Sequence, residues 1–168
     1  MSKQLIMLVG LPYSGKSYLA ESLGLYNESD YVVVSSDKIL LEWAEASGSS
    51  YNSIFKDKVD AAQQEATKRL LNALREGKSV VIDQTNLTKA SRCRKLSQCP
   101  KDYTKICIVV PEVTPEELEQ RINNRKTHVI PLSVLARMKT IYQAPSIDEG
   151  FDVIYYAGFD DIVITKDT

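Results

Sequence analysis

Residues 10–17, Gly10-Leu11-Pro12-Tyr13-Ser14-Gly15-Lys16-Ser17, restrict this chain more than any other stretch. They fit G-x-x-x-x-G-K-[S/T], a spacing that lets backbone N–H groups point inward at phosphates while a lysine reaches the β and γ positions. The run Gln4-Leu5-Ile6-Met7-Leu8-Val9 before it is apolar without alternation, as a strand buried on both faces is. After it, Ser17 to Leu23 reads as a helix with Leu19 and Leu23 one turn apart. Strand, glycine-bounded loop and helix are the context a phosphate-binding loop needs, and the helix N-terminus adds its dipole. Gly10, Pro12, Tyr13, Ser14, Gly15, Lys16 and Ser17 are therefore expected to hold a nucleoside triphosphate, with the Ser17 hydroxyl on Mg2+.

The order of the remaining elements predicts what surrounds that loop. Tyr31 to Ser35 reads as a second strand followed by a helix from near Asp37. A long helical pattern from about Asn52 to Glu76 carries Phe55, Val59, Ala62, Ala66, Leu70 and Leu74 on one stripe, with Gly77 at its end. Ser79 to Asp83 is a third strand, Lys89 to about Ser97 a helix capped by Thr88, and Ile106 to Val110 a fourth strand. Thr114-Pro115-Glu116-Glu117 opens a helix ending near Asn124, and Pro131 opens another running to about Tyr142. A strand at 152–156 and a further one around Ile162-Val163-Ile164 complete the series. Strands alternating with helices predict an α/β fold with an open, mostly parallel sheet flanked by helices on both faces. The 168 residues, 43% of them hydrophobic, are read as a single domain, 1–168.

Composition narrows the partners. The net charge of −1 and a pI near 5.9 exclude a general basic coat for nucleic acid, so any such contact is a local patch. Cys93, Cys99 and Cys107 are odd in number and form no C-x-x-C pair, which predicts reduced thiols and a cytoplasmic setting. The apolar start is too short for a signal peptide or a membrane span, and no membrane association is expected. The assembly state is not written in the sequence.

Ligands of such sheets bind beyond the carboxyl ends of the strands. That rule gathers Lys16, Asp37 and Asp83. A phosphoryl transferase needs one group to orient and deprotonate the attacking hydroxyl and another to help hold magnesium, and Asp37 and Asp83 are candidates for both tasks, the competing role being a helix cap. Arg121 and Arg125 share a helix face before Lys126 and His128. In small kinases with this loop, a basic segment between two late helices forms a lid, here about 121–131, whose arginine neutralises transferring charge. His128 reads as a turn residue there. Lys89, Arg92, Arg94 and Lys95 make a basic helix whose default reading is a solvated face; it would also flank the acceptor side, where an anionic polymer could lie.

With these residues placed, the chain resembles the kinase domain of polynucleotide 5′-hydroxyl kinases, phage and mammalian. The loop 10–17 matches the family's glycine-x-proline-x-small-glycine-lysine-serine form. Val34-Ser35-Ser36-Asp37 stands where the family has asparagine-arginine-aspartate, and Ile82-Asp83-Gln84-Thr85-Asn86 matches its strand-end D-x-T-N. Ala90-Ser91-Arg92, Arg125, 128–131 and 144–151 add to the likeness. The resemblance implies ATP and Mg2+ as cofactors and 5′-OH ends of DNA or RNA as partners. It implies Asp37 as general base, with Lys16 and Arg125 as the other catalytic groups and Arg121 beside Arg125 on the nucleotide. It implies Asp37, Lys38, Asp83, Thr85, Asn86 and Arg92 toward the acceptor, and Ser17, Asp37 and Asp83 toward the metal.

The departures are specific. Leu40 stands where the phage enzyme has an arginine that grips a substrate phosphate, Ser36 lacks the family's arginine, and Tyr13 replaces a small loop residue and is expected to cover the nucleotide or stack on the acceptor. No D-x-D-x-T occurs, so no companion 3′-phosphatase activity is expected. The chain reads as a stand-alone kinase for 5′-OH ends. Two other readings stand beside it: a kinase for a nucleoside, a nucleotide or a modified base in DNA, and a nucleotide-binding module without transfer.

Overall fold

The computed structural model describes residues 2–126, 129–158 and 164–167. Its strands are β1 (Gln4–Val9), β2 (Val32–Val34), β3 (Val80–Ile82), β4 (Thr104–Val109), β5 (Val153–Ala157) and β6 (Ile164–Asp167). Its helices are α1 (Lys16–Ser22), α2 (Ser36–Ser47), α3 (Tyr51–Arg75), α4 (Lys89–Leu96), α5 (Pro115–Asn124) and α6 (Leu132–Ile141), with a 3₁₀ turn at Ile147–Glu149. The sheet order is β2-β3-β1-β4-β5-β6, parallel through the first five strands, with β6 antiparallel on β5. Of the strand expected at 162–164, residues 162 and 163 lie outside the described residues, and β6 starts at Ile164.

Period-two alternation along β1 builds both faces of the sheet. Leu5, Met7 and Val9 join Val80, Ile82, Cys107 and Ile154 under α2 and α3, which contribute Ile39, Leu40, Ala62, Ala66 and Leu70. Ile6 and Leu8 join Val81 and Ile108 on the opposite face, under Leu19 and Ala20 of α1. With both faces covered, the strands have no need of the polar alternation of a half-exposed sheet, which is why they read as unbroken apolar runs.

Two apolar positions depart from the expected stripes. Leu23 is exposed because α1 stops at Ser22 and the chain turns through Gly24, φ 71°. Phe55, at 40% exposure, lies outside the α3 core stripe. Tyr51, one turn earlier, is the buried ring, with Phe55 tilted against it at 5.5 Å between centroids.

The β3–α4 loop is fastened from behind by a polar network. Arg92 is 0% exposed; its Nε and Nη2 donate to the two carboxylate oxygens of buried Glu149 at 2.7 and 2.8 Å, and its Nη1 donates to the Asn86 carbonyl at 2.8 Å. Asn86, itself buried in a left-handed conformation (φ 50°), donates from Nδ2 to the Leu8 carbonyl at 2.7 Å. Lys95 donates to the Asn86 side-chain oxygen. The end of β3 is thereby tied to the end of β1. Arg92, expected at the acceptor, cannot reach it, because all three of its donor nitrogens are engaged inside the protein. Removing one partner of such a buried pair leaves an uncompensated charge, so Glu149→Ala should destabilise the fold by about 3–5 kcal/mol. Denaturant unfolding checks this, and Arg92→Met combined with Glu149→Leu should cost less than Glu149→Ala alone.

Candidate active site

The phosphate loop leaves β1 where the sheet order requires a crossover, with β3 on one side and β4 on the other. Gly10 is held on both sides: its N–H donates to the Thr85 carbonyl at 3.1 Å, and a Cβ there would stand 2.9 Å from the Val110 carbonyl oxygen. Only glycine fits. Gly15 takes φ 93° and is the N-cap of α1 without any side-chain cap, so among the described residues no side chain occupies the N–H groups of the first turn. Such a terminus attracts an anion. Ser14 Oγ is buried and lacks a hydrogen-bond partner among the described residues, an acceptor and donor waiting in a loop shaped for phosphate oxygens.

Lys16 is the electrostatic centre. Its ammonium donates to the Leu11 carbonyl at 2.9 Å, curled onto its own loop. Burial lowers its pKa to about 8; the charge of Arg125 pushes the same way, while Asp83 and Asp37 oppose the shift. The lysine therefore feels both acids and the arginine, which come from three other parts of the sequence.

Helix capping does not use up either acid. Ser35 caps α2, its side chain accepting from the Lys38 N–H at 3.3 Å, and Thr88 caps α4, accepting from the Ser91 N–H at 3.2 Å. Asp37, in the first exposed turn of α2, accepts from the Tyr51 hydroxyl at 2.8 Å. Asp83, buried at the end of β3, accepts from the Ser17 hydroxyl at 3.2 Å and from the Tyr26 hydroxyl. Burial and these carboxylates push both phenols above their ordinary range, so each stays a donor. Lys38 lies with its ammonium 3.7 Å from the centre of the Tyr26 ring. Tyr26 and Tyr51 escaped the sequence reading, because one lies in a turn and the other at a helix start, and nothing in their spacing marks them.

A magnesium ion fits part of this arrangement. A serine hydroxyl beside a carboxylate is a hard-oxygen pair of the kind magnesium takes, the rest of its shell coming from phosphates and water. No cluster of three or more His, Cys, Asp or Glu able to hold a metal occurs among the described residues. Ser17 and Asp83 are the pair brought together; Asp37 is engaged by Tyr51 instead.

On the far side of the loop, Arg121 donates from Nε to Glu117 one turn earlier on α5 and from Nη1 to the Tyr13 carbonyl, both at 2.7 Å, so the first contact orients the guanidinium and the second braces the loop. The Arg125 guanidinium carbon is 4.7 Å from the centre of the Tyr13 ring. That ring is buried, so it is not available to cover a nucleotide or stack on an acceptor as expected. Leu40 is 1% exposed within the core under the sheet. An arginine at this position would point into that core, so the leucine says nothing about a phosphate contact. Thr85 is half-buried and meets Gly10 through its carbonyl. His128 lies outside the described residues.

A family model for an AAA domain matches residues 5–145, and the chain belongs to that family; its fold is an α/β fold of the P-loop kinase type. It is 29% identical over 161 residues to a protein of Acanthamoeba polyphaga mimivirus provisionally named a bifunctional polynucleotide phosphatase/kinase. That match takes in 90% of this chain and 32% of the relative, so the chain spans about a third of the relative's length. Among solved structures, a chain of the PezAT toxin–antitoxin system of Streptococcus pneumoniae superposes with a TM-score of 0.70 at 13% identity, over 98% of this chain and 71% of the other. A chain of the Pnkp1/Rnl/Hen1 RNA repair complex gives 0.61 at 23%, over 82% and 43%. Among the described residues no helix is long and apolar enough to cross a membrane.

Because phosphate binding favours the charged lysine, triphosphate affinity should be highest below the Lys16 pKa of about 8. Above it, affinity should fall by up to about tenfold per pH unit. Calorimetric ATP titrations across this range test the slope, and Lys16→Arg, which stays charged, should flatten it.

Proposed function

We propose that this chain is an ATP- and magnesium-dependent kinase that transfers the γ-phosphoryl group to the 5′-hydroxyl end of DNA or RNA, in the repair or modification of nucleic acid in the cytoplasm. The observation that carries the reading is the pair of acids beyond the ends of neighbouring strands β2 and β3: Asp83 accepts from the Ser17 hydroxyl of the phosphate loop at 3.2 Å, Asp37 is held by the Tyr51 hydroxyl at 2.8 Å, and both carboxylates act on the charge of Lys16. A module that only holds nucleotide has no need of an acid free of capping duty on the acceptor side.

In this reading the Asp37 carboxylate takes the proton of the acceptor hydroxyl, whose oxygen forms a bond to the γ-phosphorus as the bond to the β-phosphate oxygen breaks and ADP leaves. Tyr51 holds the carboxylate in place. Lys16, the α1 N-terminus and Arg125 stabilise the charge on the transferring group. Magnesium, held by Ser17 and Asp83, would neutralise charge on the β- and γ-phosphates. Ser14 offers its hydroxyl to the same oxygens. Lys38 and Thr85 lie on the acceptor side, while Asn86 and Arg92 act behind it, fixing the loop that presents Asp83.

One observation favours a smaller acceptor. Beside Asp37 stands a cluster of neutral amides: Gln63 and Gln84 side chains donate to the Ser36 hydroxyl at 3.3 and 3.4 Å, and Gln84 donates to Gln63 at 3.2 Å. Such a cluster suits the hydroxyls and base edges of a nucleoside or a modified base.

Offering γ-labelled ATP in parallel to 5′-OH DNA and RNA oligonucleotides, nucleosides and nucleotides separates the readings. Transfer to oligonucleotides should weaken steeply with added salt, whereas transfer to a neutral small acceptor should hardly change. Label appearing only on nucleosides or nucleotides would replace the polymer reading. Asp37→Ala should lower transfer by roughly 10²–10⁴-fold with ATP affinity little changed; full transfer by that variant would remove Asp37 from the role.

A further inference from the structure

Tyr13 stands in the phosphate loop in a left-handed conformation, φ 66°, that a bulky residue adopts only when its surroundings hold it there. Three contacts do so. Its carbonyl accepts from Arg121 at 2.7 Å, its hydroxyl accepts from the Ile130 N–H at 3.0 Å, and its ring lies against the Arg125 guanidinium at 4.7 Å. The side chain is buried. One residue of the loop thus touches the end of α5 and the start of the segment leading into α6.

We infer that the Tyr13 ring is a platform that aims Arg125 at the terminal phosphate of the bound nucleoside triphosphate, making Tyr13 a positioning residue.

The chemistry of the stack explains why it does not compete with phosphate. A guanidinium on an aromatic ring uses its flat face, whereas phosphate is bound by the N–H groups at its edge, so both contacts are available together. Arg125 is the C-cap of α5, where the chain leaves the helix, and an arginine side chain has many rotamers to lose. The ring removes that freedom before the nucleotide arrives. Its charge is already felt at Lys16 and at Tyr51. Ordinary small residues at this loop position supply no such surface.

The inference rests on the assignment of Arg125 to the phosphates, and its test is a binding measurement that needs no acceptor. The affinities of ADP and of a non-hydrolysable ATP analogue are measured with magnesium for the unaltered chain, Tyr13→Phe, Tyr13→Asn, Arg125→Ala and the Tyr13→Asn, Arg125→Ala double variant. Asparagine tolerates the left-handed backbone, and circular dichroism confirms folding. Tyr13→Asn should lose about twofold to thirtyfold of the preference for triphosphate over diphosphate, the range expected for a cation on a ring. Tyr13→Phe should stay within about twofold of the unaltered chain, since the ring carries the effect. In the Arg125→Ala background, Tyr13→Asn should cause no further loss. An unchanged preference in Tyr13→Asn, or the same loss with and without Arg125, would overturn the inference. Failure of transfer to oligonucleotides would refute the polynucleotide reading and leave these ratios standing.

Discussion

A half-buried lysine at the mouth of a glycine-bounded loop is the interaction around which this structure is arranged. Its ammonium has one carbonyl partner and is pushed toward neutrality by burial and by Arg125. Among the described residues, the helix end that follows has no capping side chain, and the Ser14 hydroxyl is buried without a partner. Positive charge and unsatisfied donors converge on one small volume, and the acids that moderate the lysine stand at its rim. A triphosphate supplies the missing negative charge and acceptors at once. The pocket is electrostatically complete only with its ligand.

Holding such a volume open requires rigid walls, and the walls come from interactions that never meet a substrate. Gly10 lets the loop lie against the β4 end, where a single methyl group would collide with the Val110 carbonyl. On the other side, buried Arg92 and Glu149 fix Asn86, and Asn86 fixes the turn that carries Asp83 to the β1 end. The pair is expensive to bury and depends on its full set of hydrogen bonds.

Much of this was legible in the amino-acid order, for reasons that differ by element. The loop, the parallel strands and the caps at Thr88 and Thr114 are local: propensity, periodicity and a side chain three residues from its N–H partner decide them. The carboxylates at 37 and 83 could be placed because a strand end has one direction to point. Long-range pairing was hidden. Arg92 looks like one of four cations on an exposed helix until Glu149, 57 residues later, is brought against it. Tyr26 and Tyr51 carry no pattern, and their value arises only when the sheet delivers Asp83 and Asp37 to their hydroxyls. Tyr13 was visible as an oddity, but its partner Arg125 lies in another layer.

The division of labour at the helix ends has an evolutionary consequence. Ser35 and Thr88 satisfy the backbone, so Asp37 and Asp83 can change without unravelling a helix. A frame built this way can exchange one chemistry for another by drift at a few rim positions, each step leaving a folded intermediate. Chains sharing this scaffold can therefore diverge widely in what they modify while their interiors stay alike.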